Sequence, residues 1–290
     1  MPEFIVTKAE VGLPIEQFLC QRIPAAPDAY LRQLLKKGKI RTAARQFSEG
    51  DCVAVDDLIL LPDSRRLLEL LENRQTLPPK MDILHETREI LIVNKPARLA
   101  VHNGKGHERD NLTDRIGSFL ASRGDRFQVA PIHRLDLETS GPVVFGKGKN
   151  SCSELGKLFM QGEITKSYLA LVAGKIMGRG TLLSNIPAKG KLKEAETSYR
   201  TVNSNEIASL LEIALHTGRQ HQIRRQLADA GHPLFGDHRY RGPCPGKLSR
   251  IFLHCHRLSF IDPFSQQQID IICPLPGDLT RFLPQVGIEQ

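Results

Sequence analysis

The sequence has no tryptophan, and aromatic residues make up only 6% of its 290 residues. Its core must therefore be built mainly from leucine, isoleucine and valine. Paired cysteines are lacking as well: Cys20, Cys52, Cys152, Cys244, Cys255 and Cys273 are scattered, with no Cys-x-x-Cys among them. In a chain of this length that argues against a disulfide framework and for reduced thiols in a cytoplasm. No apolar run approaches a membrane span, and Glu3, Lys8 and Glu10 break any signal-like stretch, so no membrane partner is expected. Metal-ligand spacing is absent too. His254-Cys255-His256, even with His232 or His238, fits no known ligand set, and alternating strand residues point opposite ways. Gly141–Lys147 matches the first seven positions of a phosphate-binding P-loop, but Gly148 replaces the required Ser or Thr, which argues against nucleotide hydrolysis.

What is abundant is positive charge. Lys and Arg number 40 against 32 Asp and Glu, giving +8 and a pI near 9.3. The surplus is clustered. Leu31 to Ser48 holds Arg32, Lys36, Lys37, Lys39, Arg41 and Arg45 with no acid, and His216 to Arg250 sets seven basic residues against Asp229 and Asp237. Such clustering suits a polyanionic partner.

The chain reads as residues 1–62, a linker over 63–80, and a large domain over 81–290. In the first part, Leu13, Ile15, Phe18 and Leu19 have helix-like spacing. A second, basic helix is predicted over Ala29–Lys37, with Asp28 as N-cap and Gly38 as stop, followed by a strand over Cys52–Val55. This pattern resembles the alpha-L RNA-binding module, with a shortened turn at Arg41–Arg45; a small helical cap on the main domain is the alternative. In 63–80, Leu67, Leu68, Leu70 and Leu71 suit a brief helix before Pro78-Pro79. Beyond Met81, strands are expected at Ile90–Val93, Pro142–Phe145, Tyr168–Ala173, Ala208–Leu215 and Ile269–Ile272. Helices are expected at Ser153–Gln161 and from Thr217, as cap, to about Ala230. Strands without regular intervening helices imply an α+β fold with a mixed, mostly antiparallel sheet.

Three stretches carry candidate chemistry. His133-Arg134-Leu135-Asp136-Leu137-Glu138-Thr139-Ser140-Gly141 places one carboxylate among a cation and hydroxyls that favour its ionised form, as a nucleophile or base requires. Asp136 capping a turn, or pairing structurally with Arg134, is the plainer alternative. Lys166-Ser167-Tyr168 offers a ring for stacking a base and a phenol that can move a proton, although a tyrosine entering a strand is often core. On a helix begun at Thr217, Arg219, Ile223 and Leu227 share a face, while Gln222 and Arg225 lie elsewhere and can meet solvent or phosphate. An arginine on the buried stripe needs an acidic partner, for which Asp136 is the natural candidate.

With Asn94-Lys95-Pro96, Val101-His102, the Asp136 run, Lys166-Ser167-Tyr168, Thr217–Arg224 and Gly231–Asp237 in this order, the chain resembles the RluA family of pseudouridine synthases from about Ile83 to Leu283. Arg98 and Gln220 depart from that pattern, standing where Gly and Thr are usual. The resemblance implies that Asp136 is the catalytic aspartate, Tyr168 the active-site aromatic and Arg219 the partner of the aspartate. It further implies that Ile223, or Leu215, walls the pocket and that Arg134 enters the RNA in place of the displaced base. The isomerisation oxidises nothing and takes no group from a donor, so no cofactor or metal is expected. Arg32, Lys36, Lys37, Lys39, Arg41, Arg224 and Arg225 are the expected phosphate-contacting residues. The expected substrate is structured RNA, ribosomal first and transfer RNA second, bound by a monomer. A catalytically inactive RNA-binding factor of the same fold is the alternative; a carboxylate glycosidase would need a second acid paired with Asp136.

Overall fold

The structure, a computed structural model, describes residues 2–7, 10–23, 26–72, 81–103, 110–125, 127–188, 190–246 and 248–289. The chain divides into two compact units, Met1–Lys80 and Met81–Gln290.

The first unit pairs strand β1 (Glu3–Ile5) with β2 (Leu58–Leu60), antiparallel and with Phe4 opposite Ile59. Helices α1 (Ile15–Arg22) and α2 (Asp28–Lys36) pack beside them, and α3 (Arg65–Glu72) follows. Ile15, Phe18, Leu19, Leu31, Ile40, Phe47, Ile59 and Leu67 share one buried core. Two local expectations are corrected. Asp28 lies inside the first turn of α2, because Pro27 supplies the carbonyl that Leu31 N–H reaches at 3.1 Å. Cys52–Val55 forms no strand; Cys52 makes only a bridge to Pro14, and the strand is displaced to Leu58–Leu60, where it can pair with β1. Within 63–80, the brief helix expected at Leu67, Leu68, Leu70 and Leu71 is present as α3, with Leu67 buried in the core of this unit. Residues 73–80 of that stretch lie outside the described residues.

The second unit contains two sheets. Strands β3 (Ile83–Glu86), β4 (Ile90–Lys95), β5 (Val129–Pro131) and β6 (Gly141–Lys147) form a four-stranded sheet in the order β3-β4-β6-β5. Strands β7 (Thr165–Ala173), β8 (Arg179–Ala188), β9 (Lys191–Ser204), β10 (Ala208–Leu215), β11 (Leu253–Ile261) and β12 (Gln268–Ile272) form a second, ordered β12-β11-β7-β10-β9-β8. Pairing within both sheets is antiparallel. Helices α4 (Leu112–Ser122), α5 (Lys149–Gln161), α6 (Gln222–Asp229) and the single turn α7 (Gly277–Thr280) complete the unit. Apolar runs explain the strands that a one-dimensional reading finds: β4 and β6 are buried on both faces, and β10 sets Leu211, Ile213 and Leu215 on one face beside β7.

The sheets meet where β6 begins. Ser140 bridges His254 of β11 in parallel, and Cys255 N–H donates to the Ser140 carbonyl at 2.9 Å. Gly141 adopts φ 127°, and a β-carbon there would overlap the Cys255 carbonyl oxygen, so only glycine permits this approach. The Asp136 run is thus tied to the seam between the two sheets. Helix α6 is shorter than expected. His221 takes the left-handed conformation (φ 54°) and breaks the helical phase, so the helix starts at Gln222 rather than after Thr217.

Candidate active site

Asp136 sits in the loop between β5 and β6, where Thr139 N–H closes a turn onto the Asp136 carbonyl at 3.1 Å. Two buried cations brace the carbonyls that follow. Lys95 Nζ donates to the carbonyl oxygens of Leu137 (3.1 Å), Leu99 (2.8 Å) and Pro96 (2.8 Å). Burial pushes Lys95 down to about 7, with Arg250 adding to the effect and Asp136 opposing it. Arg250 Nη1 donates to the Glu138 carbonyl at 3.3 Å and to Ser140 Oγ at 3.1 Å, while its Nε holds Asp278 at 2.6 Å. His133 Nε2 accepts the Val144 N–H at 3.2 Å, and burial holds its pKa well below the usual value. His133 and Ser140 therefore fasten the loop, leaving the carboxylate half-exposed at its crest.

The partner of that carboxylate is Arg224. Its Nη1 lies 3.3 Å from Asp136 Oδ2. The rest of its guanidinium is gripped by Asp237, with Nε to Oδ2 at 2.6 Å and Nη2 to Oδ1 at 2.8 Å. Asp237 is fully buried and Arg224 is 8% exposed. Burial works against the arginine's charge, but the carboxylates of Asp237 and Asp136 outweigh it and raise its pKa. An Asp–Arg–Asp chain with a two-pronged grip fixes the direction of the free Nη1.

This corrects three expectations. Arg219 does not meet Asp136: it precedes α6, is half-exposed, and donates from Nε to the Glu194 carbonyl at 3.1 Å. Placing it on the stripe of Ile223 assumed a helix that begins too early. Arg224, expected at a phosphate, spends its charge on two carboxylates. Gln222, expected at solvent or phosphate, is buried; its Nε2 donates to the Glu196 carbonyl and Thr197 Oγ1, each at 2.9 Å. Gln226, one turn on, donates to the Leu182 and Ala195 carbonyls and accepts from Thr197 Oγ1 at 2.6 Å. These two glutamines fasten α6 to β8 and β9, and so position Arg224.

Tyr168 is buried opposite Ile213 and Cys255 on neighbouring strands. Burial raises its pKa well above the usual value, with Cys255 and Asp136 contributing, so it is a phenol rather than a phenolate. Tyr168, Ile223 and Leu135 belong to one apolar cluster, against which Leu215 packs from its margin. Arg134 is exposed two residues before Asp136, and Arg225 is half-exposed. Arg32, Lys36, Lys37, Lys39 and Arg41 are all exposed on the first unit. Sequence reasoning missed Asp237, Lys95, Arg250 and His221. Asp237 left one usable signal: a buried arginine needs an acid, and Asp237 is one of only two between His216 and Arg250. His221 Nε2 lies 3.8 Å from Asp136 Oδ2, and burial lowers its pKa against the pull of that carboxylate.

A carboxylate held by a fixed arginine beside a buried phenol and an apolar wall can attack or deprotonate a planar substrate while excluding water. Comparison with known proteins gives this arrangement a family. A family model described as RNA pseudouridylate synthase matches residues 89–229. The chain is 31% identical to an uncharacterized RNA pseudouridine synthase, YhcT, of Bacillus subtilis, over 79% of this chain and 81% of that protein. It is 28% identical to the ribosomal large subunit pseudouridine synthase C of Escherichia coli, over 97% of this chain and 95% of that protein. The solved structure of human RNA pseudouridylate synthase domain containing 4 shares the fold, with a TM-score of 0.59 at 23% identity over 72% of this chain and 94% of that one. The chain belongs to the RluA family of RNA pseudouridine synthases. Its activity is that of an isomerase, converting uridine in RNA to the carbon-linked pseudouridine.

Proposed function

We propose that the chain isomerises specific uridines in ribosomal RNA, with Asp136 as its catalytic carboxylate. The observation that carries this reading is the Asp136–Arg224–Asp237 chain, which presents one half-exposed carboxylate at a defined angle in an otherwise buried polar setting. The resemblance to an E. coli enzyme named for the large ribosomal subunit supports ribosomal RNA over transfer RNA as the substrate. The reaction breaks the base–sugar bond, turns the base over and rejoins it through carbon 5. It is redox-neutral and needs no group donor, so the protein's own side chains suffice. Extruding the uridine costs a few kcal/mol, less in a loop. Tyr168, Ile223 and Leu215 then hold the freed base while it turns, and Arg134 fills the space it leaves. Because Tyr168 is a phenol at neutral pH, it stacks or donates a proton and does not act as a ready base.

The exposed cations of residues 1–62 serve as an alpha-L-type docking surface for the phosphate backbone. Arg32 and Lys36 lie one turn apart on α2, whose other face buries Leu31, Leu34 and Leu35. The protein acts as a cytoplasmic monomer; no helix among the described residues is long and apolar enough to cross a membrane. The deciding experiment treats ribosomal and transfer RNA pools with wild-type protein and with Asp136→Asn, then maps carbodiimide-reactive uridines. Wild type should modify ribosomal RNA at defined positions. The variant should bind the same RNA without modifying it, and appreciable turnover by it would remove Asp136 from the chemistry.

A further inference from the structure

Beside the Asp136–Arg224 pair lies a group of cations that the isomerisation as described does not use. It is organised by Tyr240, the last residue of a single 3-10 turn, His238–Tyr240. The Asp237 carboxylate accepts the Tyr240 main-chain N–H at 3.3 Å, so the acid that grips Arg224 also holds this turn. The Tyr240 hydroxyl is a hub: Arg225 Nε donates to it at 2.9 Å, and His221 Nδ1 lies 3.1 Å away. The guanidinium carbons of Arg224 and Arg239 lie 5.2 and 6.0 Å from the centre of its ring, within cation–π range.

Of these three arginines, only Arg224 spends its charge on carboxylates. Among the described residues neither Arg225 nor Arg239 has a carboxylate partner, and Arg225 turns to Tyr240 although Asp229 stands one helical turn further on. Some outward-facing arginines of this unit do pair, Arg115 with Asp110, Arg123 with Glu86 and Arg257 with Asp270. Others, such as Arg179 and Arg281, have no carboxylate partner among the described residues. What sets Arg225 and Arg239 apart is that they gather on one tyrosine. Gathering like charges around one ring without neutralising them is unfavourable for the free protein, and it becomes favourable when a polyanion arrives. Arginine also suits that partner, because its planar fork matches phosphate oxygens in pairs.

We infer that Arg225 and Arg239, oriented by Tyr240, form a phosphodiester subsite for a backbone phosphate next to the uridine held at Asp136. His221 joins the two places, lying 3.8 Å from Asp136 and 3.1 Å from the Tyr240 hydroxyl. A phosphate gripped here fixes the sugar of the target nucleotide while its base is free to turn. Arg225 and Arg239 bind; Tyr240 is a positioning residue that acts through them. This inference rests on the reading of Asp136 as the reacting carboxylate.

The test uses the full chain and an RNA transcript in which the wild-type protein forms pseudouridine. Arg225→Ala and Arg239→Ala should each raise KM roughly tenfold, and each should flatten the plot of log affinity against log salt by about 0.7–0.9. Arg239→Lys should keep that slope while recovering only part of the affinity, because the charge remains and the fork is lost. Tyr240→Phe should raise KM by a smaller factor, roughly threefold, through the loss of the Arg225 anchor. Arg281→Ala, an equal loss of exposed charge elsewhere, should match wild type. Unchanged salt slopes in both alanine variants, or effects confined to kcat, would overturn the subsite. The same titrations in an Asp136→Asn background read binding without turnover. A carboxylate that proved dispensable and a subsite that proved inert would therefore give different results.

Discussion

Helix α2 exposes Arg32 and Lys36 on the side opposite Leu31, Leu34 and Leu35, whereas α6 buries Arg224 between Asp136 and Asp237. Both helices are short and basic, at nine and eight residues. Both have an apolar face on a core. What separates them is what the cation meets. On α2 the charges face water, with only the exposed Glu49 3.9 Å from Lys36, and they are worth little to stability but are available to a ligand. On α6 the charge has been desolvated, and two carboxylates hold it in one direction. A cation can serve as a footprint for a polyanion or as a fixed strut for a carboxylate, and helix composition alone does not say which.

The sharpest way to break that contrast is Arg224→Met. It leaves Asp237 buried and unpaired, so stability should fall by about 3–5 kcal/mol in urea unfolding. Turnover should fall at least about 10²-fold as Asp136 loses its only guanidinium contact among the described residues. A loss below about 1 kcal/mol would mean that Arg224 behaves like the solvated charges of α2.

Lys95 is the intermediate case, a fully buried cation whose hydrogen bonds go to carbonyl oxygens rather than to a carboxylate. Its pKa is pushed down to about 7, against 10.5 for a free lysine. Below pH 7 both folded and unfolded states carry the proton, and the full cost of burying the charge is present. Between about pH 7 and 10.5 the unfolded chain binds more protons than the folded one, so this residue's contribution to stability rises with pH. Wild type minus Lys95→Met should therefore improve by a few kcal/mol between pH 7 and 10. A flat difference would show that Lys95 is as well solvated as Lys36.

The smallest stability effect belongs to α2 itself. Lys36→Glu with Lys37→Glu should change stability by no more than about 0.5 kcal/mol. The same pair should weaken binding of large RNA and lower its salt slope by about 0.7–0.9 per lost contact. An unaltered slope would take α2 out of the RNA interface and leave the contrast without its exposed half.

Much of the fold is legible in one dimension. Ile90-Leu91-Ile92-Val93 and Pro142–Phe145 are continuous apolar runs, and they become strands buried on both faces. Ala208–Leu215 matches β10 residue for residue, with Leu211, Ile213 and Leu215 falling on one face. The β8–β9 hairpin is not legible. It exposes Leu183 and Leu192 while carrying polar residues on both faces, so it has no period-2 signature. Thr217 looks like an N-cap, yet α6 starts at Gln222. In the structure its Oγ1 instead accepts the Glu196 N–H at 3.0 Å and bonds the Gln222 side chain at 2.8 Å. Those partners lie on β9 and on the helix's own first residue, and local propensity carries no information about the former.

By itself the sequence determined the family and the α+β class. It also singled out Asp136, whose run ends in a glycine that only a crowded seam requires. Motif order and apolar periodicity are local properties, written along the chain. Which arginine serves Asp136 was decided only by the tertiary structure. Arg219 and Arg224 differ by five positions, and the left-handed turn at His221 and the buried acid Asp237 select the second. An ion pair is a matter of distance and desolvation between remote segments, and these exist only once the chain has folded.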